Sequence, residues 1–278
     1  MKNIRNCIIG GTMSLLLMTA CDNDVLKYDT SVVKDFEIQL NGEPWSLNTG
    51  ISTKPIFVYK ENGDFFANYS SHYRFALEKG GYKFVATDIP EQMVKSPVNL
   101  NDLIIPQLIT ADQPVKISAA MPYSSPFENK LTMNILSRSG ILRLKSRDIT
   151  PDPSYAIIKT TVEVKRSGYK VVDETFVQEN LAVSRTKRTT AGGVNYTDDF
   201  ILFQTDETTN NVRIRIDFMT QDSVIVKTKE FEGSFQILPN GVTNIDFNLN
   251  DPETPIIKDY VLTINGVVAT AKKSNSIQ

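Results

Sequence analysis

Histidine and tryptophan each occur once in the 278 residues, and cysteine occurs twice. Both cysteines, Cys7 and Cys21, lie near the N-terminus, so everything beyond residue 21 is without a thiol or a disulfide. Zinc sites built from His and Cys, Cys-His nucleophilic pairs and haem attachment through Cys-x-x-Cys-His are excluded or nearly so. A Ser-His-Asp triad would have to use His72, which stands among Tyr69, Ser70, Ser71 and Tyr73 in a stretch that reads as strand. No Gly-x-Ser-x-Gly accompanies it, and an ordinary strand histidine is the stronger reading. A Walker loop, a dinucleotide glycine fingerprint and an EF-hand loop are all absent. Ser-x-x-Lys occurs at Ser31, Ser167 and Ser184. None of these stretches reads as helix, and on a strand that spacing puts the two side chains on opposite faces. Neither a cofactor nor a metal site is expected.

Long apolar runs are also missing. The longest candidate, residues 7–18, falls short of the ~20 residues that cross a bilayer. It follows Lys2 and Arg5 and ends in Leu16-Leu17-Met18-Thr19-Ala20-Cys21, with small residues where a signal peptidase cuts. This resembles a bacterial lipobox, which implies cleavage between Ala20 and Cys21 and acylation of Cys21. Each buried methylene of an acyl chain contributes ~0.8 kcal/mol, so two or more chains anchor stably where one is marginal. Asp22 and Asp24 resemble the surface-export signal of Bacteroidetes lipoproteins, whereas an Asp after the cysteine in enteric bacteria directs inner-membrane retention. The expected location is the outer membrane, lipid-anchored and exposed at the surface.

Loss of residues 1–20 removes two positive charges from the formal −2, leaving −4, and gives no electrostatic reason to bind nucleic acid. The folded part must then be held by a hydrophobic core rather than by covalent staples.

From residue 32 onward the pattern has period two, which predicts an all-β chain. Phe36, Ile38 and Leu40 alternate up to Asn41-Gly42, a hairpin signal, and Trp45 and Leu47 resume after it. Residues 55–60 and 65–69 predict one hairpin. Tyr73, Phe75 and Leu77, then Gly80-Gly81, then Tyr82, Phe84 and Ala86, predict another. Residues 88–114 carry Pro90, Pro97, Pro106 and Pro114 and read as a long connection pinned to the core by Leu103, Ile104 and Ile105. Strands resume at 115–121, 131–137 and 141–147. Pro151 and Pro153 then mark the best domain boundary. Beyond it the spacing predicts a hairpin turning at Ser167-Gly168, a polar loop over 184–199 holding Arg185, Lys187 and Arg188, and four or five further strands with a turn at Pro239-Asn240-Gly241. The basic cluster around Arg185 admits a reading as a site for an Arg- or Lys-specific protease, though a solvated loop is the stronger one.

One repeat joins the two ends of the chain. Val33-Lys34-Asp35-Phe36-Glu37-Ile38-Gln39-Leu40-Asn41-Gly42 is echoed by Ile257-Lys258-Asp259-Tyr260-Val261-Leu262-Thr263-Ile264-Asn265-Gly266. Lys, Asp, Asn and Gly recur at identical offsets. The candidate strand-exchange segment is therefore Lys258, Asp259, Tyr260, Leu262 and Ile264.

Three stretches carry a family resemblance. Pro55-Ile56-Phe57-Val58-Tyr59-Lys60-Glu61-Asn62-Gly63, Gly81-Tyr82-Lys83-Phe84-Val85-Ala86, and Leu136-Ser137-Arg138 leading into residues 141–144 are similar to strand and turn motifs of the fimbrillin-like lipoproteins of Bacteroidetes, in particular anchor and accessory subunits of fimbriae. The resemblance implies two tandem transthyretin-like or immunoglobulin-like β-sandwich domains, a role in anchoring or assembling a surface fibre, and assembly by strand addition. Polymerising members expose their groove by proteolysis near the first strand. No Arg occurs between Cys21 and Arg74, which suits an uncleaved anchor or accessory subunit. The expected layout is a signal peptide over 1–20, a lipidated tether over 21–31, sandwiches over 32–149 and 150–250, and a linker with a terminal strand over 251–278. The expected role is a non-enzymatic fimbrial or adhesion subunit whose partners are the outer membrane, other subunits, and a surface glycan or protein. The alternative is a glycan-binding lipoprotein of a polysaccharide-uptake system.

Overall fold

The computed structural model describes residues 32–35, 37–40, 43–44, 55–69, 74–94, 98–108, 113–125, 130–149, 154–188, 194–205, 211–249 and 259–273. The lipobox, Asp22, Asp24, Trp45, His72 and Lys258 lie outside them. The described chain is built of strands, with two single-turn 3-10 segments and no α-helix.

In the first half the strands are β1 (Val32–Asp35), β2 (Glu37–Leu40), β3 (Glu43–Pro44), β4 (Ile56–Lys60), β5 (Phe65–Tyr69), β6 (Arg74–Leu77), β7 (Gly81–Ala86), β8 (Ile104–Pro106), β9 (Lys116–Ser118), β10 (Met121–Ser124), β11 (Lys130–Met133) and β12 (Ile135–Ser137). One sheet runs β10-β7-β4-β5. Facing it are the short ladders β11-β2-β3, β12-β9 and β1-β6. Ile56, Val58, Tyr82 and Phe84 from the first sheet pack on Leu77, Leu131, Met133 and Ile135 from the others. The predicted hairpins at 55–69 and across Asn41-Gly42 are both present as antiparallel pairs.

The second half contains β13 (Ser139–Ile149), β14 (Ile157–Lys170), β15 (Thr175–Arg188), β16 (Val194–Phe203), β17 (Asn211–Met219), β18 (Ile225–Ser234), β19 (Val242–Phe247), β20 (Asp259–Ile264) and β21 (Val267–Lys273). They form two five-strand sheets, β16-β13-β19-β20-β21 and β15-β14-β17-β18, the latter extended by β8. Alternation sets the core. Val212, Ile214, Ile216 and Phe218 point inward from β17 against Leu142 and Leu144 of β13 and Ile245 of β19, while Arg213 and Arg215 stay on the outer face. The period-two reading of the sequence is an all-β sandwich in the structure.

Four local expectations are corrected. Strands β6 and β7 are not a hairpin: β6 pairs with β1 and β7 with β4 and β10, so residues 78–80 carry the chain from one sheet to the other. The strand expected to close the first sandwich, β13, pairs instead with β16 and β19 of the second. The pairing therefore changes over at Arg138, ahead of Pro151, because proline marks only where a ladder cannot continue and not which ladder a strand joins. Ser167-Gly168 is no turn. β14 runs through it, and Gly168 is needed because a Cβ there would stand 2.7 Å from Cγ2 of Ile104 in β8. The polar loop shrinks too, since Arg185, Lys187 and Arg188 continue β15 in register with β14.

The connection over 88–114 does more than cover the core. Leu103 and Ile105, with Phe57, Tyr59, Val85, Ile117, Tyr169 and Phe203, form one buried cluster shared by the two halves. Strand β4 therefore serves two cores, Ile56 and Val58 on one face and Phe57 and Tyr59 on the other, which is why it reads as an unbroken apolar run. Gln107 completes the seam. Its Nε2 donates to the carbonyl of Ile201 at 2.7 Å and its Oε1 accepts from the amide of Phe203 at 2.7 Å, so a side-chain amide stands in for a ladder strand along β16.

Candidate functional site

The terminal repeat folds as a hairpin because its turn chemistry demands one. Asn265 has φ +47 and Gly266 has φ +83, the paired left-handed conformations of a two-residue loop, and Asn and Gly tolerate them best. The Asn265 amide donates to the carbonyl of Val242 at 2.9 Å, and its Oδ1 accepts from the amide of Val242 at 2.9 Å. These bonds tie the turn to the start of β19. The N-terminal copy is also a two-residue hairpin, β2 to β3, but β2 lies parallel to β11 where β20 lies antiparallel to β19. The echo between the chain ends is thus an echo of hairpin chemistry set against different neighbours.

Among the segment singled out, Asp259, Tyr260, Leu262 and Ile264 fall on β20, where Tyr260, Leu262 and Ile264 pair with Phe247, Ile245 and Thr243. The strand is held within its own chain. Of the side chains described on the hairpin, Leu262, 4% exposed, is fully buried, Ile264 is half-buried, and Val261, Val267 and Val268 are exposed. β21 stands last in its sheet, with a bulge against Leu262 and Thr263. Release of β20 and β21 would leave β19 as the sheet's edge with its other partner, β13, undisturbed.

Ladder directions set where this hairpin ends. The Ser139 end of β13 pairs with Phe203, which sits in the seam between the halves, and β19 runs parallel to β13 away from that seam. β20 returns and β21 runs out again, so Lys273 lies at the end of the second sandwich remote from the first. At the other end of the molecule, Glu37 pairs with Lys130, upstream of β12 and β13 on a chain that runs toward the seam. The N-terminal strands enter on the side of the first sandwich remote from the second.

A second feature is a cleft of about 540 Å³ lined by Met121, Pro122, Tyr123, Ser124, Ser125, Lys130, Leu131 and Thr132. It opens between β10 and β11, each the outermost strand of its sheet. Pro122 brings no N–H to that edge of β10, which leaves β11 the better template for an added strand.

A buried polar cluster ties the second sandwich across its sheets. The Tyr196 hydroxyl donates to Oδ2 of Asp198 at 2.7 Å and is hydrogen-bonded to the Thr160 hydroxyl, and Lys187 Nζ lies 2.8 Å from Oδ1 of Asp198. Burial, with the Asp198 carboxylate beside it, pushes the Tyr196 hydroxyl far above the ordinary tyrosine range, so it remains a donor at physiological pH. Sequence reading did not single out Gln107, Tyr196 or Asp198, whose partners lie from two to almost a hundred positions away. Among the described residues no group of three or more His, Cys, Asp and Glu could hold a metal ion, and no helix is long and apolar enough to cross a membrane. Among the aromatic side chains described, Phe65 is the one that is exposed.

No protein-family model matches the chain, and no curated protein matches it. Solved structures do. A candidate polysaccharide-binding protein of Bacteroides thetaiotaomicron superposes with a TM-score of 0.53 at 12% identity, covering 88% of this chain and 98% of that one. A candidate adhesin from Bacteroides ovatus superposes with a TM-score of 0.52 at 8% identity, covering 87% and 95%. The fimbrial anchor protein Mfa2 from Porphyromonas gingivalis gives 0.49 at 7% identity, covering 87% and 100%. The chain shares the all-β fold of the first two structures.

Proposed function

We propose that this chain is a surface lipoprotein that anchors or extends an adhesive fibre, attached to the outer membrane through acylated Cys21 and joined to a neighbouring subunit by β-strand addition from its C-terminal hairpin. The observation that carries this reading is the terminal hairpin itself: it is the last pair of strands in its sheet, Leu262 is the fully buried side chain among those described on it, and its Lys273 end lies opposite the N-terminal strands. A subunit attached at one end with a releasable strand pair at the other can pass its edge forward. The repeat between residues 33–42 and 257–266 supports the same reading, because a segment that resembles β2 and its turn fits the kind of place that β2 occupies beside β11. Likeness in fold to a candidate adhesin supports it from outside the chain.

The test compares the protein from Asp22 onward with a version ending at Thr254, by size exclusion and chemical crosslinking. Dimers or ladders from the longer form alone support donation of the hairpin. Two monomers of equal stability overturn it, and a truncated form that unfolds shows that the hairpin belongs to its own sandwich.

The second reading, a glycan-binding lipoprotein of a polysaccharide-uptake system, has two supports. They are the hydroxyl-lined cleft beside Lys130 and the likeness in fold to a protein described as polysaccharide-binding. A glycan array on the monomer separates it from the first.

A further inference from the structure

The outer face of the sheet β15-β14-β17-β18 changes character along its length. Over most of the face, charges pair: Arg213 Nη2 lies 2.9 Å from Glu230 Oε2, Arg215 Nε lies 2.8 Å from Asp217 Oδ1, and the Thr228 hydroxyl donates to that same carboxylate at 2.7 Å. In the last row, at the end remote from the first sandwich, Arg188, Ile157, Met219 and Ile225 are register neighbours across the four strands. Three of the four are apolar, on a face that should be polar. The turn beyond continues the patch, with Val224 61%, Ile225 49% and Val226 48% exposed.

These side chains are held out rigidly. The Thr220 amide donates to the carbonyl of Val224 at 2.8 Å, the Val224 amide donates to the Thr220 hydroxyl at 3.2 Å, and the Ser223 amide donates to the carbonyl of Thr220 at 3.0 Å. Ser223 takes φ +66 to close the loop. A bulge opposite Met219 sets Val226 out of register, so the aliphatic residues cannot all fold back on the sheet. Beside them stand exposed Arg188 and, one row back on the same face, half-buried Lys159, with Asp222 the one acidic residue of the turn; Lys227 lies on the other face, its ammonium 6.0 Å from the centre of the Phe218 ring.

We propose that this tip docks on an anionic lipid bilayer opposed to the membrane that carries Cys21. An aliphatic tip flanked on its face by Arg188 and Lys159 matches an interface of acyl chains beneath acidic headgroups. The exposed side chains described in the patch include no Trp or Tyr, the residues that dominate protein hot spots, which favours lipid over a protein groove. The tip also lies at the end remote from the N-terminal strands, so it faces away from the anchoring membrane.

With residues 1–20 removed, Cys21 is the only thiol, and it can be coupled to maleimide lipid in one vesicle population. That coupling is chemical, so the outcome is independent of hairpin donation and of acylation in the cell. Unmodified vesicles of phosphatidylcholine with phosphatidylglycerol are then added and clustering is followed by light scattering. The expected result is clustering with the anionic vesicles, weaker with phosphatidylcholine alone. The double change Val224→Asp with Ile225→Asp should lower it at least about tenfold, and Arg188→Glu should lower it in a salt-sensitive way. These positions are at the surface, and unchanged thermal unfolding of each variant confirms its fold. Absence of clustering, or clustering untouched by both variants, overturns the proposal. Association between protein-loaded vesicles without bare ones, lost in the aspartate variant, overturns it in favour of a protein contact.

Discussion

Leu262→Ala tests whether the terminal hairpin is a unit that can leave its sheet. Leu262 is 4% exposed and packs in the core of the second sandwich, while Val261, Val267 and Val268 on the same hairpin are exposed. Leu-to-Ala changes in cores cost roughly 2–5 kcal/mol, and the lower end applies where the surroundings can collapse, as they can at the outer flank of a sheet. A loss of about 2.5 kcal/mol multiplies the open population of the hairpin by roughly 60. Ile264, half-buried, and the ladder to β19 add to the seating. Native-state hydrogen exchange by mass spectrometry gives the readout. Peptides over residues 259–264 should exchange by about that factor faster than in the parent, with their protection already well below that of β14 and β17. Peptides carrying Ile214 and Ile216, buried in the same core, should change only if the whole sandwich opens. The reasoning fails if hairpin and core amides exchange at one common rate in the parent, or accelerate by the same factor in the variant. Either outcome would make the hairpin part of the cooperative core and remove it as a donor.

The remaining expectations concern the seam and the buried hydroxyls. Gln107→Ala leaves the Ile201 carbonyl and the Phe203 amide without their 2.7 Å partners, and should cost about 1–3 kcal/mol in urea unfolding. Gln107→Glu should recover the bond from the Phe203 amide but not the one to the Ile201 carbonyl. Gly168→Ala drives a Cβ into Ile104 and should cost roughly 1–3 kcal/mol, with the loss relieved by Ile104→Ala. Burial raises the hydroxyls of Tyr59, Tyr169 and Tyr196 in the folded chain above their ordinary range. Above about pH 10 the unfolded chain therefore sheds protons that the folded chain retains, and stability should be level below that pH and fall above it. Tyr196→Phe should make the alkaline fall shallower, and a fall of unchanged slope in that variant would rule out this contribution.

Strand existence was legible because alternation is a local property. The inward residues Val212, Ile214, Ile216 and Phe218 and the outward Arg213 and Arg215 alternate in the sequence as they do across the sheet. Turns with a chemical signature were legible for the same reason: residues 61–64 and Asn240-Gly241 turn where expected, and β2 and β3 pair on either side of residues 41–42. Gly168 shows the limit of that signature. A glycine reports that a Cβ is unwelcome, and whether φ or a neighbouring strand excludes it depends on Ile104, which lies 64 positions earlier.

The sequence by itself determined the class of fold, the lack of any disulfide past residue 21, and the echo that marks the two chain ends as alike. Tertiary structure decided which strand joins which sheet. β13 pairs with strands later in the chain and β8 reaches into the other half's ladder, because pairing is chosen by which open edge and which apolar face are available, and these arise only once other strands are in place. It also decided that the terminal strand rests in its own chain with Leu262 buried, and that Ile157, Met219 and Ile225 meet in a single row. Each is an ordinary aliphatic residue along the chain, and only register across three strands makes them a surface.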